Sequence, residues 1–365
     1  MRNGFSSRLG QAVNSLAFLF APQQLMGLAE GLLRGAFPRP STLYLFFPLE
    51  RTRKQYAARA MLATLAELKP IIAPSRIVRV PTISGMRSLQ IAWFVRRSTQ
   101  GTTNSTALIS GLPTYGLMER SRLISSGAQW ILLDDGLSSN SPSHHLYDKT
   151  QGRRGGSMYG ALVGAVAGPW PRELPGEIDL FTTFPVLEQD LVSIPGTVSV
   201  VRHEFEWLAS HYQRAPTMDS TVPKSATLVG TNLRGVPDSE VIRVVVEIIK
   251  RLGLDTYRPH RHEPTRRTRQ IAERTGVRLS PSTLPLELCI LKSSNQENYV
   301  LMPGSTWYTV PKLLPLSRQP ILLRISTLFG SISCGSASGQ EVVALLKSIE
   351  DEYPSNATPS PVDLP

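Results

Sequence analysis

Short apolar runs alternate with stretches whose apolar positions recur three and four residues apart, the mark of strands interleaved with amphipathic helices. Residues 16–20, 42–47, 77–80, 107–110 and 130–133 are apolar runs of strand length. Between them, 24–33 and 53–68 carry Ala, Leu and Met at helical spacing, and 117–125 reads as a further helix. Strands that are continuously apolar are buried on both faces, which predicts a parallel sheet covered by helices. The pattern then loosens. Residues 138–160 are rich in Ser, Gly, Arg and His, 169–175 is irregular, and 214–224 holds two prolines and little apolar content, reading as a linker. A second alternation follows, with strands at 226–230, 277–279, 299–302 and 321–325, a strand edge at 255–259 and a closing helix at 341–349. Its clearest helix, 239–252, keeps Val241, Val245, Ile248, Ile249 and Leu252 on one face, with Asp238 placed to cap its start and Gly253 its end. The expectation is an α/β protein of two Rossmann-like domains, 1–218 and 219–353, with a disordered proline-containing tail at 354–365. Domains of this kind bind ligands at the carboxyl ends of their strands and in the cleft between them.

Length and composition agree with that expectation. At roughly 150 residues per domain, 365 residues suit two domains, and 41% hydrophobic with 18% charged residues describes a globular chain. Two cysteines, Cys289 and Cys334, exclude a disulfide framework and a cysteine-based zinc site, and a reducing cytoplasm is the default expectation. The apolar run near the N-terminus stops at Pro22, far short of the ~20 residues that span a bilayer, and is read as a buried strand. The balance of 39 basic against 28 acidic residues, a net charge of +11, favours anionic partners. No G-x-G-x-x-G, P-loop or G-x-S-x-G fingerprint is present, which argues against dinucleotide enzymes, P-loop NTPases and α/β-hydrolases.

Four segments carry residue types suited to chemistry. Asp134, Asp135 and Gly136 follow the strand at 130–133, where adjacent carboxylates raise one another's pKa and can supply a general base; the same residues also make an ordinary Asp-Gly turn. His260, Arg261 and Glu263 open a segment from 258 to 278 that holds seven arginines against two acids. It suits phosphate or carboxylate, with an imidazole able to donate to a leaving phosphate, and it reads equally as a solvated basic turn. Glu287, at the start of an apolar helix, is either a favourable first-turn charge or a carboxylate that accepts from two ribose hydroxyls. Ser305 and Thr306, between a strand and a helix, are either N-caps or an anion cradle of hydroxyls and backbone N–H groups.

Taken in order, these segments resemble bacterial sialyltransferases of the two-Rossmann (GT-B) type, and among them the polysialyltransferase and capsule sialyltransferase group. The resemblance rests on Asp134-Asp135-Gly136, on Tyr-x-Pro-His-Arg-x-Glu at 257–263, on Pro-x-Glu at 285–287, on Ser305-Thr306, and on Ala-Pro-Gln-Gln-Leu at 21–25, which contains Gln24. It spans roughly residues 15–315 as scattered short motifs. Arg261 stands where many of these enzymes have proline after the histidine, a departure that bears on subfamily and acceptor.

The resemblance implies an inverting, metal-independent transfer of sialic acid from CMP-sialic acid, with no cofactor, to a capsule-type or lipooligosaccharide-type glycan that is either free or lipid-linked. It implies Asp134 or Asp135 as base, His260 on the departing phosphate, Ser305 and Thr306 on that phosphate, Glu287 on the ribose, and Gly136, Gln24, Arg261 and Glu263 as further substrate contacts. A cytoplasmic enzyme resting on the inner face of an acidic membrane would fit the charge. Two rival classes are another inverting glycosyltransferase using a different nucleotide sugar, and a basic nucleic-acid-binding protein; the latter lacks interleaved aromatics.

Overall fold

The computed structural model describes residues 14–48, 55–82, 87–98, 106–111, 129–134, 177–184, 197–212, 226–233, 235–260, 263–280, 282–292, 297–314, 318–329, 337–353, 357 and 359–364. The expected helix at 117–125, the irregular stretches at 138–160 and 169–175 and the linker at 214–224 lie outside these residues. Contacts divide the chain into two units, Met1–His211 and Tyr212–Pro365.

The first unit runs β1 (Asn14–Leu19), α1 (Pro22–Leu33), β2 (Thr42–Pro48), α2 (Gln55–Ile72), β3 (Arg76–Thr82), α3 (Arg87–Ser98), β4 (Thr106–Gly111), β5 (Gln129–Leu133), β6 (Glu177–Thr182), β7 (Thr197–Arg202) and α4 (Glu206–Tyr212). The strands form one parallel sheet in the order β3-β2-β1-β4-β5-β6-β7. The chain winds outward from β1 to β3 and returns to lay β4 beside β1, so the winding reverses between those two strands. Alternate side chains of the apolar strands serve opposite faces. On one face Phe18, Phe46, Leu108, Trp130 and Leu132 pack with Ile91 and Val95 of α3. On the other, Gly27 of α1 lies against Leu133, and Phe37 meets Phe181 edge-on. Each fully buried Leu or Phe contributes roughly 1.5–3 kcal/mol relative to exposure. The first turn of α4 is closed from α1: the buried Glu30 carboxylate accepts the Trp207 N–H at 3.2 Å and the Leu208 N–H at 2.7 Å. Those N–H groups have no partner within their own helix, and a carboxylate suits that end of the dipole.

The second unit runs β8 (Ala226–Val229), α5 (Asp238–Leu252), β9 (Thr256–Arg258), α6 (Thr265–Thr275), β10 (Arg278–Leu279), α7 (Leu286–Lys292), β11 (Asn298–Leu301), α8 (Thr306–Leu313), β12 (Ile321–Arg324), α9 (Ala337–Glu352) and β13 (Val362–Asp363). Its parallel sheet has the order β10-β9-β8-β11-β12-β13, reversing between β8 and β11. The apolar face of α5 is buried as its spacing predicts, and Gly253 closes the helix at φ 59°. Pro237, not Asp238, is the N-cap. The Asp238 carboxylate instead accepts from the guanidinium of Arg267, which α6 buries beside it.

The α/β class with two Rossmann-like halves is therefore as expected from the pattern. Three details differ. The arginine-rich segment after His260 is largely helix α6, whose buried side carries Arg267, Thr268 and Ile271. Helix α3 and strands β6 and β7 were not legible in the hydrophobic pattern. The tail, expected to be disordered after 353, pairs Val362 and Asp363 with Leu323 and Arg324 of β12.

Candidate functional site

In doubly wound sheets, ligands bind beyond the carboxyl ends of the strands, where the winding reverses. In the first unit, that edge holds Gln24 and Asp134. Gln24 is fully buried at the start of α1, and its Oε1 accepts the N–H groups of Phe20 at 2.7 Å and Ala21 at 3.2 Å. Its Nε2, buried without a hydrogen-bond partner, faces the end of β4. A methyl group at Gly111 would sit 1.9 Å from that nitrogen, so glycine is what lets the amide lie there. The oxygen is committed to the backbone, and Nε2 is enclosed against Gly111.

Asp134 follows β5 directly and is 3% exposed. Its Oδ2 accepts both the backbone N–H of Thr183 at 2.6 Å and the Thr183 hydroxyl at 3.0 Å. His203 approaches the same oxygen, with Nε2 at 3.9 Å. That imidazole, 2% exposed, stacks on Phe181 with 4.2 Å between centroids and meets the Phe205 ring edge-on. Asp134, Thr183 and His203 come from the carboxyl ends of three adjacent strands, β5, β6 and β7. Asp135 and Gly136 lie outside the described residues.

In the second unit, the ends of β8, β9 and β11 meet. Tyr257, buried in β9, donates its hydroxyl to Glu263 Oε2 at 2.6 Å, and the Glu263 N–H donates to the His260 carbonyl at 2.8 Å. The pair closes the turn that carries His260, which is half-buried. Burial pushes the Tyr257 hydroxyl well above its ordinary pKa, with the Glu263 charge acting the same way. Burial also raises Glu263, against the opposing hydrogen bond from Tyr257. Arg261 lies outside the described residues. Beside this turn, Gly230 donates its N–H to the Arg258 carbonyl at 2.9 Å; a methyl group there would stand 2.7 Å from the Tyr257 hydroxyl and 3.2 Å from the His260 backbone nitrogen.

The next residue, Thr231, donates its hydroxyl to the Pro303 carbonyl, which ties the end of β8 to the turn leading into Ser305 and Thr306. Ser305 is the N-cap of α8, yet its side chain makes no capping hydrogen bond. Thr306 opens the helix, and both residues are half-buried. Glu287, 3% exposed in the first turn of α7, accepts the Thr309 hydroxyl of α8 at 2.6 Å. The structure thus gathers His260, Ser305 and Thr306 around the end of β8, with Glu287 joined to them through α8.

No protein-family model matches this sequence, and no curated protein matches it. Among solved structures, the chain is similar to a sialyltransferase from Photobacterium damsela. Identity is 11% and the TM-score 0.45, over 92% of this chain and 80% of that one. A likeness this distant assigns neither family nor activity.

Two of the arginines expected to attract phosphate are committed elsewhere. Arg258 donates to the Leu284 carbonyl at 2.8 Å, and Arg267 is held by Asp238. Arg266, Arg269 and Arg274 are exposed on α6. Among the described residues, no group of three or more His, Cys, Asp or Glu side chains could hold a metal ion, and no helix is long and apolar enough to cross a membrane. Sequence reasoning missed Thr183 and His203. Each is a polar residue just past a strand, and polar residues interrupt the apolar pattern of both strands, β6 and β7.

Proposed function

We propose that this protein is an inverting, metal-independent sialyltransferase that moves sialic acid from CMP-sialic acid to a hydroxyl of a glycan of the capsule or lipooligosaccharide type. The acceptor oxygen attacks the anomeric carbon as the bond from that carbon to the CMP phosphate breaks. The hydroxyl proton passes to Asp134, and the departing CMP phosphate is stabilised by His260 with the Ser305 and Thr306 hydroxyls and the first N–H groups of α8. Glu287 takes the ribose hydroxyls. Asp134 in the first unit and His260, Ser305 and Thr306 in the second must act on one donor molecule; that is a requirement of the proposal. The charge of +11 would assist docking on an acidic membrane face where lipid-linked glycans are presented.

The observation that carries this reading is the meeting of His260, Ser305 and Thr306 around β8, at the reversal of a doubly wound sheet, with the Ser305 side chain not spent on capping. An imidazole, two small hydroxyls and a helix N-terminus at such an edge suit a phosphate that gains charge as it leaves. Equilibrium binding of CMP, UDP and GDP to the whole chain tests the donor. CMP should bind at least tenfold more tightly than the other two, and Asp134→Ala should abolish transfer while leaving CMP affinity within a few-fold. Preference for UDP or GDP would transfer the reading to another nucleotide sugar; turnover retained by Asp134→Ala would remove Asp134 as base.

A further inference from the structure

We infer that the β3 edge of the first unit, with α2 and α3 beside it, is a docking surface for anionic lipid, with Trp93 as its aromatic anchor. This deepens the proposed docking on an acidic membrane face by assigning it to a surface, and its test needs neither donor nor acceptor. Charge is spread unevenly along the chain. Residues 51–98, which span α2, β3 and α3, hold ten Lys and Arg against one acid, Glu67. Nine of the eleven net positive charges therefore lie in this stretch, and the rest of the chain is nearly balanced at 29 basic against 27 acidic residues. Strand β3 stands at the edge of its sheet and exposes Arg76 and Arg79; Arg59 and Lys69 of α2 are exposed as well. An edge strand commonly carries charge to discourage pairing with another chain. Acids would serve that end as well as arginines do. Among the described residues of these three elements, every exposed charge is basic, and that one-sidedness calls for an anionic partner.

Helix α3 supplies the anchor. Ile91, Phe94 and Val95 face the core, where the Phe94 ring stands edge-on to Phe46. That spacing turns Trp93 and Arg97 outward, one helical turn apart. Trp93 is 47% exposed, and the Arg97 guanidinium lies over its ring, 5.3 Å from the centroid. A single exposed apolar side chain is ordinary. An indole under a guanidinium, on a surface of one charge sign, is the combination that suits the boundary between membrane and water, where the ring sits at headgroup level and the cation meets anionic lipid. Single-stranded nucleic acid is instead held by successive stacking aromatics; among the exposed large apolar side chains described, Trp93 alone lies in this stretch. The surface is distinct from the proposed base, because β5, which leads to Asp134, is four strands away from β3, roughly 19 Å across the sheet.

Flotation of the whole chain with vesicles of phosphatidylcholine, alone or with about one-third phosphatidylserine, tests the assignment. The wild type should bind the anionic vesicles at least tenfold more tightly than the neutral ones, and about 1 M salt, where the Debye length is roughly 3 Å, should abolish the difference. Arg76→Glu, Arg79→Glu and Arg97→Glu combined should lower affinity for the anionic vesicles at least tenfold. Arg266→Glu, Arg269→Glu and Arg274→Glu on α6 make the same change in net charge at exposed positions and should lower it less than threefold. Trp93→Ala should weaken binding at least threefold, and brominated lipid should quench less of its tryptophan fluorescence than of the wild type's. Circular dichroism checks that each variant is folded. Equal losses in the two triple variants would overturn the surface in favour of general charge attraction. Tighter binding to a single-stranded oligonucleotide, lost in the first triple variant, would overturn lipid as its partner. A chain that binds vesicles in the expected pattern but releases no CMP from CMP-sialic acid keeps this surface and loses the sialyltransferase reading; one that releases CMP and does not bind anionic vesicles keeps that reading and loses the surface.

Discussion

Tyr257 and Glu263 show how single residues hold a turn in place. The phenol-to-carboxylate bond of 2.6 Å spans the turn that carries His260, and Glu263 receives the main-chain restraint from the same turn. Tyr257→Phe leaves a buried carboxylate oxygen without its donor, which should cost about 1–3 kcal/mol in chemical unfolding of the intact chain. Glu263 also gives a signed dependence on pH. Burial raises its pKa above 4.5, so between that value and the raised value the folded chain binds more protons than the unfolded one. Stability contributed through this group is then greatest at the acid end of the window and is lost as pH rises through the folded pKa. Glu263→Gln keeps an acceptor for the Tyr257 hydroxyl and removes the titration. Its unfolding free energy should vary less with pH than that of the wild type from about pH 4.5 towards neutrality; parallel profiles would show that the buried charge is not what the turn responds to. Gly230→Ala tests the same turn by steric pressure. Its methyl group meets the Tyr257 hydroxyl and the His260 backbone, so CMP affinity should fall at least tenfold, with a stability loss of about 1–3 kcal/mol.

Helices and strands were legible where the side that faces the core is apolar. Strands β1, β2, β4 and β5 are continuous apolar runs because helices cover both faces, and α5 declares itself through one valine- and isoleucine-rich stripe. Elements escaped notice where the buried side is polar. Helix α6 turns Arg267 and Thr268 inward alongside Ile271, so its period is hidden and its arginines read as a loose basic cluster. Strand β6 interrupts its apolar run with Glu177 and a buried Asp179, and β7 alternates Thr and Ser with Val. Thr183 and His203 stand just past the ends of these two strands, so the pattern that hides the strands hides them too. The motifs at Asp134, His260 and Ser305 were visible because they follow recognisable strands, whereas the role of Glu263 as a tether on Tyr257 needed the fold of the turn. The close of α5 offers a clean measurement at this scale. Gly253 is left-handed with nothing within 4 Å of an added methyl group, so Gly253→Ala isolates the backbone term. It should cost about 1 kcal/mol in thermal unfolding with CMP affinity unchanged.

For the molecule as a whole, two doubly wound sheets each bring polar groups to a carboxyl edge: a buried carboxylate held by Thr183 in the first, and an imidazole beside a hydroxyl-bearing helix start in the second. Under the proposed function, the first would serve as the base and the second would receive the departing phosphate. If CMP binds the folded chain alone, a hundredfold excess over its Kd should stabilise it by about 2.7 kcal/mol. Ser305→Ala combined with Thr306→Val should remove most of that gain at the same CMP concentration. The most direct test of the central claim is CMP release from CMP-sialic acid in the presence of EDTA, with and without sialylated or galactose-ended acceptors, for the wild type and His260→Ala. Release that the acceptor raises, that EDTA leaves intact and that the variant loses is the predicted result. No release with any acceptor, together with no CMP binding, would contradict it.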